Sequence, residues 1–281
     1  MSWVGFFRRY VVLVLVIVGG LVLVAPPASA ARLFKEFAIS GNSPWAITVG
    51  PDGNIWFTEQ SNAVGRVTPT GVVSEFTVPT AGSNPLGIAA GSDGNLWFAE
   101  YFAHKIGRIT PAGTVTGEFT TPTQASYPAV ITAGPDGNLW FTETNANKVG
   151  RITPAGAITE YTIPTAGSVP YGITAGPDGN LWFTENGGNK IGRITTAGVV
   201  TGEFVIPTPN AYPVGITAGP HGNLWFAEYG ASRIARITVD GVITESAALG
   251  NGPTGITAGP DGNIWFTEDN DNAVAAHKLP K

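Results

Sequence analysis

A single unit of about 42 residues repeats six times along the chain. Its core reads Gly-Pro-Asp-Gly-Asn-Leu-Trp-Phe-Thr-Glu, followed by Asn-Lys-Ile-Gly-Arg-Ile-Thr. The Trp-Phe pairs start at Trp56, Trp97, Trp140, Trp182, Trp225 and Trp265, spaced 41, 43, 42, 43 and 40 residues apart. A period in the low forties built from strand signals is the signature of a β-propeller. Helical repeats of similar length are excluded, because Pro and Gly interrupt every run before ten residues. The predicted fold is all-β: a six-bladed β-propeller of four-stranded antiparallel blades.

Each unit divides into four strands, lettered a to d. The stretches Gly172–Ala175, Leu181–Thr184, Ile191–Ile194 and Val199–Ile206 stand for the set. The a–b turn carries Asp-Gly in five repeats, a pair that supplies positive φ to tight hairpins. Strand d is missing after the last repeat, but residues 33–39 (Leu-Phe-Lys-Glu-Phe-Ala-Ile) match Ser74–Val78. The N-terminal segment is therefore expected to close the ring as the outer strand of the last blade, removing both open edges. Trp and Phe are neighbours on strand b, so they point to opposite faces and glue each blade to the blades on either side. They read as core.

The first thirty residues differ from the repeats. Arg8 and Arg9 precede an apolar run, and Pro26-Pro27 and Ala28-Ser29-Ala30 follow it. That is the layout of a signal peptide cleaved after Ala30, which makes 31–281 a single domain. The expectation is a secreted or periplasmic (cell-envelope) protein, free of the membrane after cleavage and monomeric. The chain has no Cys, which excludes disulfides, thiolate metal sites and a Cys nucleophile. Net charge is −5, with basic residues dispersed, so no phosphate-collecting stripe exists and nucleic acid is not an expected partner.

A site for one small ligand should break the sixfold pattern. The long d–a and b–c loops share one face, which is the expected place for a small molecule or a protein partner. At the start of strand a, the residue after Pro is Trp45, Leu86, Ala129, Tyr171, Val214 or Thr254. Trp45, Leu86, Tyr101, Tyr171, Val214, Tyr229 and Thr254 are the expected channel-mouth residues. They give an apolar, aromatic rim without charge, suited to a stacking or apolar ligand. The Glu closing strand b recurs six times and the Arg of strand c five times, from Arg66 to Arg236, which suggests ion pairs or loop-anchoring bonds once per blade. In the last unit Ala276 replaces the Arg. Glu268 there, with Asp269 and Asp271, is a candidate set for a hard divalent cation. His104, in the b–c loop of the second unit, is the histidine placed for general-base work. His221 replaces Asp in an a–b turn and reads as a turn variant.

The units at 172–185, 189–195 and 206–213 resemble those of the virginiamycin B lyase family, and the resemblance covers nearly all of residues 33–281. It implies elimination that opens the ester-closed ring of type B streptogramins, with a magnesium ion and a histidine base at the channel mouth. The family's histidines follow the strand-a proline in late blades, where this chain has Val214 and Thr254. The acid that precedes the last such proline is replaced by Gly252. The resemblance thus carries the scaffold and leaves the catalytic residues unmatched. The expected function is ligand or partner binding without the family's catalytic histidine. The alternative is a divergent magnesium-dependent streptogramin B-type lyase, or another metal-assisted enzyme acting on a cyclic ester or lactone.

Overall fold

The computed structural model describes residues 37–41, 43–249, 252–269 and 273–279. The expected signal peptide, and residues 33–36 of the expected closing strand, lie outside these residues. The chain is an all-β, six-bladed β-propeller. Blade 1 comprises Pro44–Val49, Ile55–Glu59, Ala63–Val67 and Val73–Thr77 as strands a to d. Blade 2 is Pro85–Ala90, Leu96–Glu100, Lys105–Ile109 and Val115–Thr120. Blade 3 is Pro128–Ala133, Leu139–Glu143, Lys148–Ile152 and Ile158–Thr162. Blade 4 is Pro170–Ala175, Leu181–Glu185, Lys190–Ile194 and Val200–Val205. Blade 5 is Pro213–Ala218, Leu224–Glu228, Arg233–Ile237 and Ile243–Glu245. Blade 6 contributes Pro253–Ala258, Ile264–Glu268 and Ala273–His277. All pairings are antiparallel between sequence neighbours.

Between the blades lies one repeated interface. Trp56 packs against Ile88, Leu96 and Phe98 of blade 2, and Trp97 packs against Ile131, Leu139 and Phe141 of blade 3. Trp140 and Trp182 do the same one blade further on. Trp therefore faces forward and Phe backward, as the alternation of a strand requires. Each fully buried aromatic contributes on the order of 2–3 kcal/mol of transfer free energy. A second lock sits at the turns. Phe76 of strand d stacks on Trp56, ring centroids 5.7 Å apart, and its ring lies 1.9 Å from where a Cβ on Gly113 of blade 2 would stand. Gly113 has φ 87°, so both its backbone conformation and its neighbour demand glycine.

The Asp of the a–b turn does different work from that expected. The positive φ falls on the Gly alone (Gly94, 76°). Asp93 is an acceptor, taking Trp97 Nε1–H at 3.1 Å, Asn95 Nδ2–H at 2.8 Å and the Asn95 backbone N–H at 3.2 Å. Burial alone would raise its pKa, but these bonds together hold the carboxyl below its usual value.

Of the expected roles, the Arg of strand c does not form the ion pair with the Glu of strand b but does anchor a turn. The two lie at opposite ends of the blade: Arg108 is opposite Trp97, whereas Glu100 is opposite Lys105. The Arg108 guanidinium sits 5.3 Å over the Trp97 ring and donates to Pro154 O of the next blade at 3.0 Å. Arg66, Arg151 and Arg193 reach forward in the same way.

Residues 40–41 enter blade 1 as four of the d–a loops enter their next blades. Ser40 N–H donates to Glu75 at 2.6 Å, just as Thr80, Thr123, Thr165 and Thr208 donate to Glu118, Glu160, Glu203 and Glu245. At the two ends of the blade series, Ile47 is 72% and Val274 67% exposed, whereas their counterparts in the inner blades are buried.

Candidate functional site

The innermost strands run close together. An ideal Cβ on Gly87 would stand 2.8 Å from Ala129 O, and one on Gly172 2.3 Å from Val214 O. Side chains cannot fit between strands a at these points, so the first residues of strand a define the mouth. Strand-b hydroxyls tie these residues down: Thr142 Oγ1 donates to Tyr171 O at 2.6 Å, and Thr184 Oγ1 to Val214 O at 2.8 Å.

Trp45 of blade 1 and Tyr101 of blade 2 both lie close enough to Tyr171 of blade 4 to act on its hydroxyl. Burial, reinforced by Tyr101 and partly offset by Trp45, pushes the Tyr171 hydroxyl up to about 12. Trp45 remains 53% exposed and Tyr229 39%. Val214 and Thr254 are half-buried, and Thr254 Oγ1 bonds Thr267 Oγ1 at 2.9 Å. Leu86 is buried, with its carbonyl accepting from Thr58, and so lies below the rim. The structure thus brings Trp45, Tyr101 and Tyr171 together.

His104 takes up a loop-clipping role. In blades 1, 3 and 4 the corresponding residue is Asn62, Asn147 or Asn189, each in the left-handed region. There the Oδ1 accepts from the next loop, as from Ser83 N at 2.9 Å or Ser168 N at 2.7 Å. His104 has φ 55° and accepts from Tyr127 N through Nδ1 at 3.4 Å. Its ring lies edge-on to Tyr127 at 4.6 Å, within a cluster that includes Tyr101 and Phe102. An accepting Nδ1 leaves the proton of the neutral ring on Nε2.

Of the three acidic candidates, Glu268 and Asp269 are described. Among the described residues, no group of three His, Cys, Asp or Glu is arranged to hold a metal ion. Asp271 lies outside the described residues, and Asp269 is exposed beside Gly252, donating its N–H to Gly252 O at 3.3 Å. The Tyr229 ring stands 2.7 Å from where a Cβ on Gly252 would be, so that position is covered by an aromatic ring. The described donors do not fit a magnesium site.

Sequence reasoning missed a buried acid system beneath this face. Glu100, Glu143, Glu185 and Glu228 are fully buried, each close to a strand-d carboxylate. Burial first, then the charge of Glu118, pushes Glu100 up to about 8, with Lys105 partly offsetting. Glu143 and Glu185 reach about 8 and Glu228 about 7 for the same reasons. Glu118 itself is held low. Burial opposes this, but bonds from Thr80 and the charge of Lys105 outweigh it. In the pairs of blades 2, 3 and 4 the buried strand-b carboxyl is thus raised while its strand-d neighbour is lowered. The signal was available as alternation: Glu118 faces Gly107 on the strand next to Lys105.

Residues 32–274 match the virginiamycin B lyase family. The chain belongs to that family. Virginiamycin B lyase from Staphylococcus aureus, solved as its selenomethionine form, is 45% identical, with TM-score 0.80, over 84% of this chain and 80% of that one. A catalytically inactive histidine-to-alanine variant of the Staphylococcus aureus enzyme, solved with quinupristin, is 46% identical, with TM-score 0.81, over 87% and 83% of the two chains. A streptogramin B lyase structure is 43% identical, with TM-score 0.78, over 83% and 79%. A putative gluconolactonase, 18% identical with TM-score 0.61 over 86% and 92%, shares the fold. No curated protein matches the chain.

Proposed function

We propose that this family member binds a small, apolar, ring-bearing molecule of the cyclic-ester class at its long-loop face, without opening the ring. The observation that carries this reading is the mouth itself. Aromatic side chains of blades 1, 2 and 4 meet there, while the positions where the resemblance implies histidines hold Val214 and Thr254. Neither residue abstracts a proton at neutral pH, and general-base catalysis accounts for ~10²–10⁴-fold in rate. A relative stripped of one histidine is catalytically inactive and was solved with quinupristin, which supports separating binding from turnover. The proposal includes export to the periplasm or exterior as a monomer, resting on the Arg8-Arg9, apolar and Ala-Ser-Ala pattern of the first thirty residues.

The test uses residues 31–281, quinupristin and magnesium. Calorimetry should show saturable binding, weakened at least tenfold by Trp45→Ala or Tyr171→Ala, and chromatography should recover the cyclic compound intact. Absence of binding would overturn the reading. Ring opening well above the buffer rate, lost on His104→Ala, would establish the divergent lyase instead.

A further inference from the structure

Blade 5 departs from the repeat at three positions that touch one another. The first is the a–b turn. In the five other blades an Asp carboxylate accepts the Trp Nε1–H at 3.0–3.1 Å. In blade 5 His221 replaces it, with φ 60°. Trp225, 7% exposed, keeps a buried Nε1–H with no hydrogen-bond partner. The second is strand d. In blades 1 to 4 an aromatic ring stacks on the Trp at 5.4–5.7 Å. In blade 5 the matching residue, opposite Ile234, is Ser246. The third is the Arg. Arg66, Arg108, Arg151 and Arg193 are each sandwiched over two rings and donate to the c–d turn of the next blade. Arg236 makes one long bond, to Thr244 Oγ1 at 3.4 Å.

A cavity of about 370 Å³ lies where these three features are lost, lined among others by His221, Trp225, Arg236, Ser246 and His277. That volume is within the ~300–1,000 Å³ of small-molecule sites. The fold itself supplies the template for an occupant. Elsewhere this place holds a carboxylate on an indole N–H near a guanidinium, as with Asp178, 3.9 Å from Arg193, together with a flat ring stacked on the Trp. We propose that the blade 5 cavity is a binding site for a small aromatic carboxylate. The carboxylate accepts from Trp225 Nε1–H and Arg236, and the ring occupies the slot opened by Ser246. His277 stands 5.6 Å from the Trp225 ring and forms the far wall. Glu245 also lines the cavity, but its charge is compensated by Arg233 at 3.3 Å and by two bonds from Thr208 at 2.9 Å. The site lies at the short-turn end of the blades and is independent of the long-loop face, so its failure leaves the proposed function untouched.

Benzoate is the probe, with acetate and benzyl alcohol as controls that each lack one half of the recognition. Calorimetry on residues 31–281 should show saturable benzoate binding at least tenfold tighter than either control. His221→Asp restores the internal carboxylate, and Ser246→Phe restores the ring. Each should weaken benzoate at least tenfold while raising the melting temperature of the free protein, because five blades already fold with Asp at the first position and three with Phe at the second. Arg236→Gln should weaken benzoate at least tenfold and leave folding intact. No saturable binding, equal affinity for benzoate and acetate, or binding indifferent to all three substitutions would overturn the assignment.

Discussion

The buried carboxyls beneath the long loops make stability depend on pH in a direction opposite to that of most carboxylates. Glu143 is raised from an ordinary 4.5 to about 8, mainly by burial and then by the charge of Glu160. The folded state therefore holds a proton that the unfolded chain gives up above 4.5. Between 4.5 and about 8 the native state binds more protons, so stability falls as pH rises through this window and levels off above it. One pKa unit corresponds to about 1.4 kcal/mol. The shift removes stability from this site between pH 5 and pH 8, with ~1–2 kcal/mol the working expectation. Glu143→Gln keeps the shape and a donor towards Glu160 but cannot ionise. The variant should melt within about 2 °C of the parent at pH 5 and about 2–8 °C above it at pH 8, at ~2–4 °C per kcal/mol for a domain of this size. Calorimetric or fluorescence melts at pH 5, 6.5 and 8 decide it. A gap that fails to widen with pH, or a variant less stable at pH 8, would refute a protonated Glu143. Glu100, Glu185 and Glu228 sit in separate blades with separate partners, so combined Gln variants should add.

Two further predictions address the repeat itself. Asp136→Ala strands the Trp140 Nε1–H and removes two bonds to Asn138; a loss of ~1–3 kcal/mol is expected from urea unfolding. Gly156→Ala places a methyl 2.0 Å from the Phe119 ring at φ 91°, whereas Gly179→Ala, at φ 75°, meets nothing within 4 Å. The first should therefore cost clearly more than the ~1 kcal/mol of the second, read as a difference in urea midpoint.

What the sequence made legible follows the period of the repeat. The blade count, strand order and opposed Trp and Phe were readable because Trp182 and Phe183 recur at adjacent positions, and strand geometry leaves adjacent side chains on opposite faces. Partnerships across blades were not readable. Arg108 and Glu100 share a blade and have opposite charges, but pairing depends on register, and register sets Arg108 opposite Trp97 and Glu100 opposite Lys105. The expected rim was read only as a set of positions. That Trp45 would meet Tyr171, three blades away, depends on how the strands converge, which no local pattern encodes. His104 looked like a base because it breaks an Asn column, yet its Nδ1 takes over the acceptor task of the Asn it replaces.

His104 and His221 show that breaking the pattern is not enough to mark a site. At His104 the substituted side chain still accepts from the next loop, through Nδ1 from Tyr127 N, so the clip between the loops is kept. At His221 the old role is abandoned: the Trp225 N–H loses its acceptor, and Ser246 removes the ring that would have covered the gap. A buried donor without an acceptor costs about 1–3 kcal/mol; five blades meet the Trp N–H with an aspartate, and the blade 5 cavity leaves room for a ligand that carries the missing group. The distinction that matters in a propeller is therefore whether a departure is compensated within the chain. The compensated ones maintain the blade, and the uncompensated ones are where an outside molecule can complete it.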